Sequence, residues 1–320
     1  MKKTIILFGV GYWGKNHLRE LNANPFVSSI LVVDPILNKE SDILQQYKNV
    51  NFYATFEEAI SKNKNIDGAI IATPPPTHFD IAKKCLEHNL HVLIEKPMVE
   101  SIKELDILNQ IAGDSKVLMS GHTYLYNPAV KLMKEIIDTG EIGDIMFIHS
   151  QRLNFGIMRE DTDVFLSLAP HDISLVQFFM NDEEYLKMLN SKSNFTFSPF
   201  DDFSSIHLSY KNNIFAKIDV SWYYPKKIRS LSIMGSKKTI VFDDVDKKIF
   251  MHDLSVDNQY VHKNEGSKEI HFDKSISPLT NEINQFIKYF DRPARCITGY
   301  NHTKNVIKVL EEYYLSLIHI

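Results

Sequence analysis

Between Lys3 and about Gly121 the chain alternates short apolar runs with amphipathic stretches, and this alternation limits the possible folds most severely. The runs are "TIILFG" (4–9), "SILVVD" (29–34), "DGAIIAT" (67–73), "HVLIEK" (91–96) and "KVLMSG" (116–121). A continuously apolar strand is buried on both faces, and strands separated by helices run parallel. Helical periodicity falls near 14–23, 39–47, 56–61, 77–88 and 101–112. Residues 1–122 therefore read as an α/β domain with a doubly wound parallel sheet of the Rossmann type.

After residue 122 the pattern changes. A helix-like stretch (127–138) leads into "DIMFIHSQRL" (144–153) and a proline-interrupted segment (163–180). Partly alternating runs at 203–210, 214–222, 228–234 and 239–243 follow, with turn chemistry at "KNN" and "GSKK". They predict a mostly antiparallel meander. Helices near 278–290 and 301–317 close the chain, so residues 123–320 read as a single α+β domain.

Bulk properties exclude several classes. The 320 residues are 44% apolar with a net charge of −4, enough for sizeable cores and without the basic footprint of a nucleic-acid or anionic-membrane binder. Cys85 and Cys296 stand far apart with no Cys or His at ligand spacing, so they read as reduced thiols in the cytoplasm and no metal is expected. "MKKTIILFGVGYWG" reads as a buried first strand rather than a signal peptide. No run approaches the length of a membrane span, and the sequons at Asn194 and Asn301 read as chance.

"FGVGYWGKNH" places Gly9, Gly11 and Gly14 in G-x-G-x-x-G spacing, between an expected strand and an expected helix. In that context Gly9 makes the turn, Gly11 admits a pyrophosphate, and Gly14 lets helix and strand approach. Tyr12 and Trp13 lie within the motif. The helix start offers N–H groups and a positive dipole end to phosphates. Asp34 ends the second strand, where a carboxylate accepts from ribose hydroxyls and repels a 2′-phosphate, so NAD is expected rather than NADP. The fourth run ends in "ATPPPTH", which puts Thr73, Pro74 and His78 at the ligand edge of the sheet; for His78 a plain helix-start role is the alternative. The fifth run ends in Glu95-Lys96-Pro97, a charged pair at the same edge, with proline favouring extended backbone at Lys96.

Taken in order, Gly-x-Gly-Tyr-Trp-Gly, Thr-Pro-Pro-x-x-His and Glu-Lys-Pro resemble the glucose–fructose oxidoreductase / inositol dehydrogenase / rhizopine-catabolism family of NAD(P)-dependent oxidoreductases. The resemblance covers essentially the whole chain. It implies a second domain built on a large open sheet that mediates homodimers or homotetramers. It also implies a Glu-Lys-Pro lysine beside nicotinamide and substrate, here Lys96, and a histidine from a later helix, here His171. "GHTYLYNPAV", "RLNFGIMREDTDVFLSLAPHDI" and "VSWYYPKKIRSLSIMG" further resemble the branch acting on nucleotide-activated sugars, of the UDP-N-acetylglucosaminuronate 3-dehydrogenase type. That likeness implies oxidation at C3 of a sugar within surface-polysaccharide biosynthesis. Ser167 stands where that branch usually has Asp.

Hydride transfer from a carbinol carbon needs a group that takes the hydroxyl proton, and imidazole suits that task near neutrality. His171 is expected as acid/base and Lys96 as its electrostatic partner, with the reverse assignment as the alternative. Arg152, Asn154 and Arg159 are candidates for a substrate carboxylate or diphosphate, with solvent-facing ion pairs as the alternative. Asp172 is counted with them as a substrate-binding candidate and could orient a neighbouring group, although adjacent helical positions diverge by about 100°. Tyr124, Asn127, Tyr223 and Tyr224 are weaker candidates. Two further readings stay open: a dehydrogenase of free inositol, another polyol or a sugar lactone, and a catalytically silent NAD-binding sensor.

Overall fold

A computed structural model describes residues 2–37, 46–47, 49–160, 162–196, 200–256 and 259–316. The chain forms two compact units, Met1–Thr123 with Ser277–Ile307, and Tyr124–Ile276 with Lys308–Ile320.

In the first unit β1 (Lys3–Phe8), α1 (Tyr12–Ala23), β2 (Val27–Val33), β3 (Val50–Tyr53), α2 (Phe56–Lys62), β4 (Gly68–Ile71), α3 (His78–Glu87), β5 (His91–Glu95), α4 (Ile102–Ala112) and β6 (Leu118–Gly121) follow in order. The six strands pair in parallel in the order β3-β2-β1-β4-β5-β6. Ile5, Ile6, Leu7, Ile70, Val92 and Leu93 are fully buried, as strands covered on both faces must be. The order reverses between β1 and β4, and ligands of such sheets sit at the carboxyl ends beside that switch point. The expected helix at 39–47 falls mostly on residues outside the described ones. β3 escaped the sequence reading because its four residues, Val-Asn-Phe-Tyr, hold no continuous apolar run.

α7 (Pro278–Tyr289) also belongs to the first unit. Its Leu279, Ile283 and Phe286 are buried, and the Phe290 ring stacks on His91 at 4.1 Å. A Cβ on Gly68 would lie 2.8 Å from Phe290 Cζ, so the glycine at the start of β4 makes room for that ring. Residues 277–307 thus pack with the parallel sheet, whereas the sequence reading placed them in the block 123–320. An amphipathic pattern shows that a helix has a covered face and says nothing about which sheet covers it.

The second unit opens with α5 (Pro128–Asp138), capped by Asn127, whose Oδ1 accepts from the Ala129 N–H at 2.9 Å. It continues through β7 (Ile145–Phe155), α6 (Val164–Phe179), β8 (Lys187–Ser193), β9 (Phe203–Ser209), β10 (Phe215–Ser221), β11 (Tyr223–Gly235), β12 (Thr239–Asp243), β13 (Lys248–Val256) and β14 (His262–Ile270). These eight strands order as β14-β13-β12-β11-β7-β10-β9-β8, antiparallel except for the β7–β10 pair. α6 lies on β7, β9 and β10. The last helix, α8 (Tyr300–Ser316), has its C-terminal end in this unit, where Tyr313 stacks on Phe165 at 3.6 Å.

Candidate functional site

In the first unit the candidate cofactor site begins at the turn between β1 and α1. Gly9 adopts φ +79°, where only glycine is at ease, and a Cβ there would meet the Ala72 carbonyl oxygen at 2.9 Å. Gly14 lies against the Gly9 carbonyl, so helix and strand meet through hydrogen atoms alone. A Cβ on Gly11 would meet nothing within 4 Å. Gly11 is also the α1 N-cap, and no side chain caps the helix there. The open backbone and uncapped helix start fit a pyrophosphate. Tyr12, 82% exposed, and Trp13 stand on the outer side of this turn, edge to face at 5.9 Å. Asp34 is half-buried at the end of β2. Its Oδ2 accepts from the Val10 N–H at 2.9 Å, and its Oδ1 accepts from the Ile36 and Leu37 N–H groups at 2.9 and 3.1 Å. Backbone donors thus hold the carboxylate beside the glycine turn, where the adenosine ribose of a dinucleotide binds in this fold.

At the end of β4, the Thr77 hydroxyl donates to Thr73 Oγ1 or the Pro74 carbonyl, at 2.7 Å each, and Pro74 is exposed. His78 does not reach outward. It is buried, with Nε2 2.8 Å from the Thr73 carbonyl oxygen and Nδ1 2.9 Å from the Pro97 carbonyl oxygen. Both ring nitrogens are occupied within the chain, so His78 ties the β4 and β5 turns together rather than touching a cofactor. Glu95 is likewise turned inward. Its Oε1 accepts from buried His17 Nε2 at 2.8 Å and its Oε2 from the Lys96 N–H at 3.2 Å. The Lys96–Pro97 bond is cis, and Lys96 is half-buried at the carboxyl edge of the sheet.

In the second unit a separate group of candidate residues lies on α6 and β7. Asp163 caps α6, accepting from the Leu166 N–H at 2.8 Å and from the Tyr314 hydroxyl at 2.7 Å. Pro170 sits inside the helix, not at its start, and has no N–H to give the Leu166 carbonyl. Asp172, the next residue but one, is buried against β7. Its Oδ2 accepts from Arg152 Nε at 2.7 Å and its Oδ1 from the Ser150 hydroxyl at 2.6 Å. Arg152 Nη1 donates to the Tyr124 hydroxyl at 2.8 Å, and its guanidinium lies 4.4 Å from the Tyr124 ring centre. Burial opposes the Arg152 charge, but Asp172 and Tyr124 together outweigh it and hold the guanidinium protonated more firmly than usual.

Arg152 and Asp172 were read from the sequence as substrate contacts. The structure pairs them with each other, so their role is to pin α6 onto the sheet. Tyr124 joins that pair to His171, its ring 5.0 Å from the imidazole. His171 is half-buried, as is Ser167 one helical turn earlier. Asn154 is half-buried on β7, while Arg159, Tyr223 and Tyr224 are exposed. Asn127 is spent on its helix cap. The Cys85 thiol is pushed far up by burial and that of Cys296 to about 12, so neither is a nucleophile at neutral pH. Among the described residues no group of three or more His, Cys, Asp or Glu could hold a metal, and no helix is long and apolar enough to cross a membrane.

Residues 3–122 match the family model for the "Oxidoreductase family, NAD-binding Rossmann fold", and residues 130–241 match the GFO/IDH/MocA C-terminal domain. The chain belongs to the GFO/IDH/MocA oxidoreductase family. It is therefore an NAD-binding oxidoreductase. An uncharacterized oxidoreductase of Streptococcus pneumoniae is 24% identical over 249 residues, covering 73% of this chain and 67% of that protein. Inositol 2-dehydrogenase of Mycolicibacterium smegmatis is 25% identical over 184 residues, covering 56% and 53%. Among solved structures, UDP-N-acetylglucosamine 3-dehydrogenase GnnA from Acidithiobacillus ferrooxidans superposes with a TM-score of 0.83 at 18% identity, over 98% of this chain and 96% of that one. This last likeness is one of fold.

Proposed function

We propose that this family member is an NAD-dependent dehydrogenase that moves a hydride between nicotinamide and a ring carbon, C3, of a nucleotide-activated sugar. One observation carries the reading. The carboxyl edge of the first unit's sheet bears the glycine cradle at β1 and, at β5, a lysine whose backbone is fixed by the buried carboxylate before it. NAD, when bound, accepts or returns the hydride. The chain's own residues handle the proton. In oxidation the carbinol C–H electron pair leaves as hydride, the O–H proton passes to His171, and the carbon becomes a ketone. The Lys96 ammonium stabilises negative charge developing on that oxygen. The inositol 2-dehydrogenase relative supports a second reading, in which the substrate is a free polyol. Assembly as a homodimer or homotetramer through the eight-stranded sheet, and work in the cytoplasm on surface-polysaccharide precursors, belong to the first reading.

The test is the appearance of NADH absorbance with UDP-, dTDP- and GDP-sugars set against inositol and free sugars. Turnover confined to free polyols sinks the nucleotide-sugar reading. Lys96→Met and His171→Asn are each expected to lower kcat by about 10²- to 10⁴-fold with NAD binding retained. Near-normal rates in both variants would remove these residues from the chemistry.

A further inference from the structure

Behind the Glu95–Lys96 turn lies a set of buried polar groups that the proposed chemistry leaves unused. Glu282, on α7, is fully buried. Its Oε2 accepts from the Thr123 hydroxyl at 3.0 Å, while its Oε1 has no protein partner. In the same unit His17 Nδ1, Ser120 Oγ and His122 Nδ1 are also buried without a protein partner; Ser120 and His122 flank Gly121, which pairs with Glu95, and His122 precedes Thr123. His17 already grips Glu95 through Nε2, and His122 meets His302 of α8 edge to face at 5.6 Å. Gly121 lets β6 approach the end of β5 closely, since a Cβ there would lie 3.1 Å from Glu95 Cα and 3.3 Å from Glu95 Oε2. Buried polar atoms demand partners, and internal water supplies them where several such atoms share a polar cavity.

We propose that Glu282 is a positioning residue for Lys96, acting through Glu95 from a buried polar pocket that His17, Ser120, Thr123, His122 and His302 complete. Two carboxyl groups in one buried pocket do not both ionise. Glu95 already accepts from His17 and from the Lys96 N–H, the bonds a carboxylate makes. Glu282 accepts only from a hydroxyl, and its second oxygen has no protein partner. Burial, and after it the Glu95 charge, hold the Glu282 carboxyl protonated well above its ordinary range. His122 is held neutral by burial, then by His302 and Lys96. Burial, and to a lesser extent Glu282, push the Cys296 thiol up to about 12. A proton on Glu282 lets its unpartnered oxygen donate to an internal water, and that water reaches the Glu95 carboxylate. That fixes the Glu95 carboxylate and, through the Lys96 N–H, the base of the lysine side chain. The inference rests on the proposed role of Lys96 only for its effect on turnover.

The linkage follows from the raised carboxyl. Below about pH 4.5 Glu282 is protonated in folded and unfolded chains alike, and its contribution to stability is fully present. As pH rises the unfolded chain loses this proton first, and the contribution is lost through the folded-state pKa. Glu282→Gln keeps a neutral donor without the proton. Its melting temperature relative to the parent is expected to rise as the pH increases above about 4.5, with kcat within about threefold. Glu282→Leu removes the donor and is expected to lower kcat about ten- to a hundredfold, the scale of a displaced reacting group, with KM for NAD unchanged. Lys96 can be followed directly by ¹³C reductive methylation, its resonance assigned by loss in Lys96→Met. Its titration is expected to keep its midpoint in Glu282→Gln and to move in Glu282→Leu. An unmoved Lys96 titration in folded Glu282→Leu overturns the proposal. So does a Gln variant whose relative melting temperature stays flat or falls with pH. A moved titration with unchanged turnover supports the positioning role and instead removes Lys96 from the reaction.

Discussion

Asp172 is one position along the chain from His171, and its side chain goes elsewhere. It enters the sheet and meets Arg152 and Ser150, while His171 turns toward Tyr124. The roughly 100° between neighbouring helical positions makes this division possible. A buried ion pair adds little net stability, but removing one partner strands the other charge. Asp172→Asn is expected to destabilise the protein by about 3–5 kcal/mol in denaturant titrations. The double variant Arg152→Met/Asp172→Leu is expected to recover most of that stability but not turnover, because nothing then orients Tyr124 beside His171. Equal stability of the parent and Asp172→Asn would show that the pair does not anchor α6. Sequence reasoning named both residues but gave them the wrong partner. A charged side chain at a strand position shows the same letter whether it faces solvent, substrate or an opposite charge.

At the scale of an element, α6 is the informative case. It is a sixteen-residue helix with proline at its seventh position. A mid-helix proline forfeits one hydrogen bond and tilts the following turn. That turn holds His171 and Asp172, so the break falls where two adjacent side chains need different partners. Pro170→Ala restores the donor for the Leu166 carbonyl. It is expected to raise stability by roughly 1–3 kcal/mol and to lower kcat, since a straightened helix re-aims His171. A gain in stability with no loss of rate would mean that the proline serves no aiming role. Strands show a related asymmetry. β14, "HKNEGSKEI", is mostly exposed and polar and is a strand only because it pairs with β13, so no periodicity announced it. β8, with its exposed lysines, was missed for the same reason.

Across the whole molecule, the chain leaves the first unit at residue 123 and returns to it at 277. The return covers Gly68 and His91 with Phe286 and Phe290, and it delivers Glu282 to the pocket behind Lys96. A fragment of residues 1–122 is expected to bind hydrophobic dye and to melt without a sharp transition, because that apolar face lies open. Joining residues 277–307 to residues 1–123 through a flexible linker is expected to restore cooperative melting in calorimetry. Identical sharp melting of both fragments would show that the returning helices are dispensable to the sheet.

The sequence by itself determined what is local and periodic. The parallel strands, the glycine turn, Asp34 at the end of β2 and Lys96 at the end of β5 are all readable because strand burial and turn geometry act between near neighbours in the chain. His17 left a faint trace, a histidine three residues after Gly14 on the inner face of its helix. Glu282 left none, since a glutamate in an amphipathic helix ordinarily faces water. Only the tertiary structure decided that Arg152 and Asp172 answer each other, that His78 and Glu95 look inward, and that a helix 187 residues beyond Glu95 brings it a second carboxyl group. The physical reason is that a charge or hydrogen bond is satisfied by whatever the fold brings within about 3 Å, and a linear pattern does not encode that neighbour.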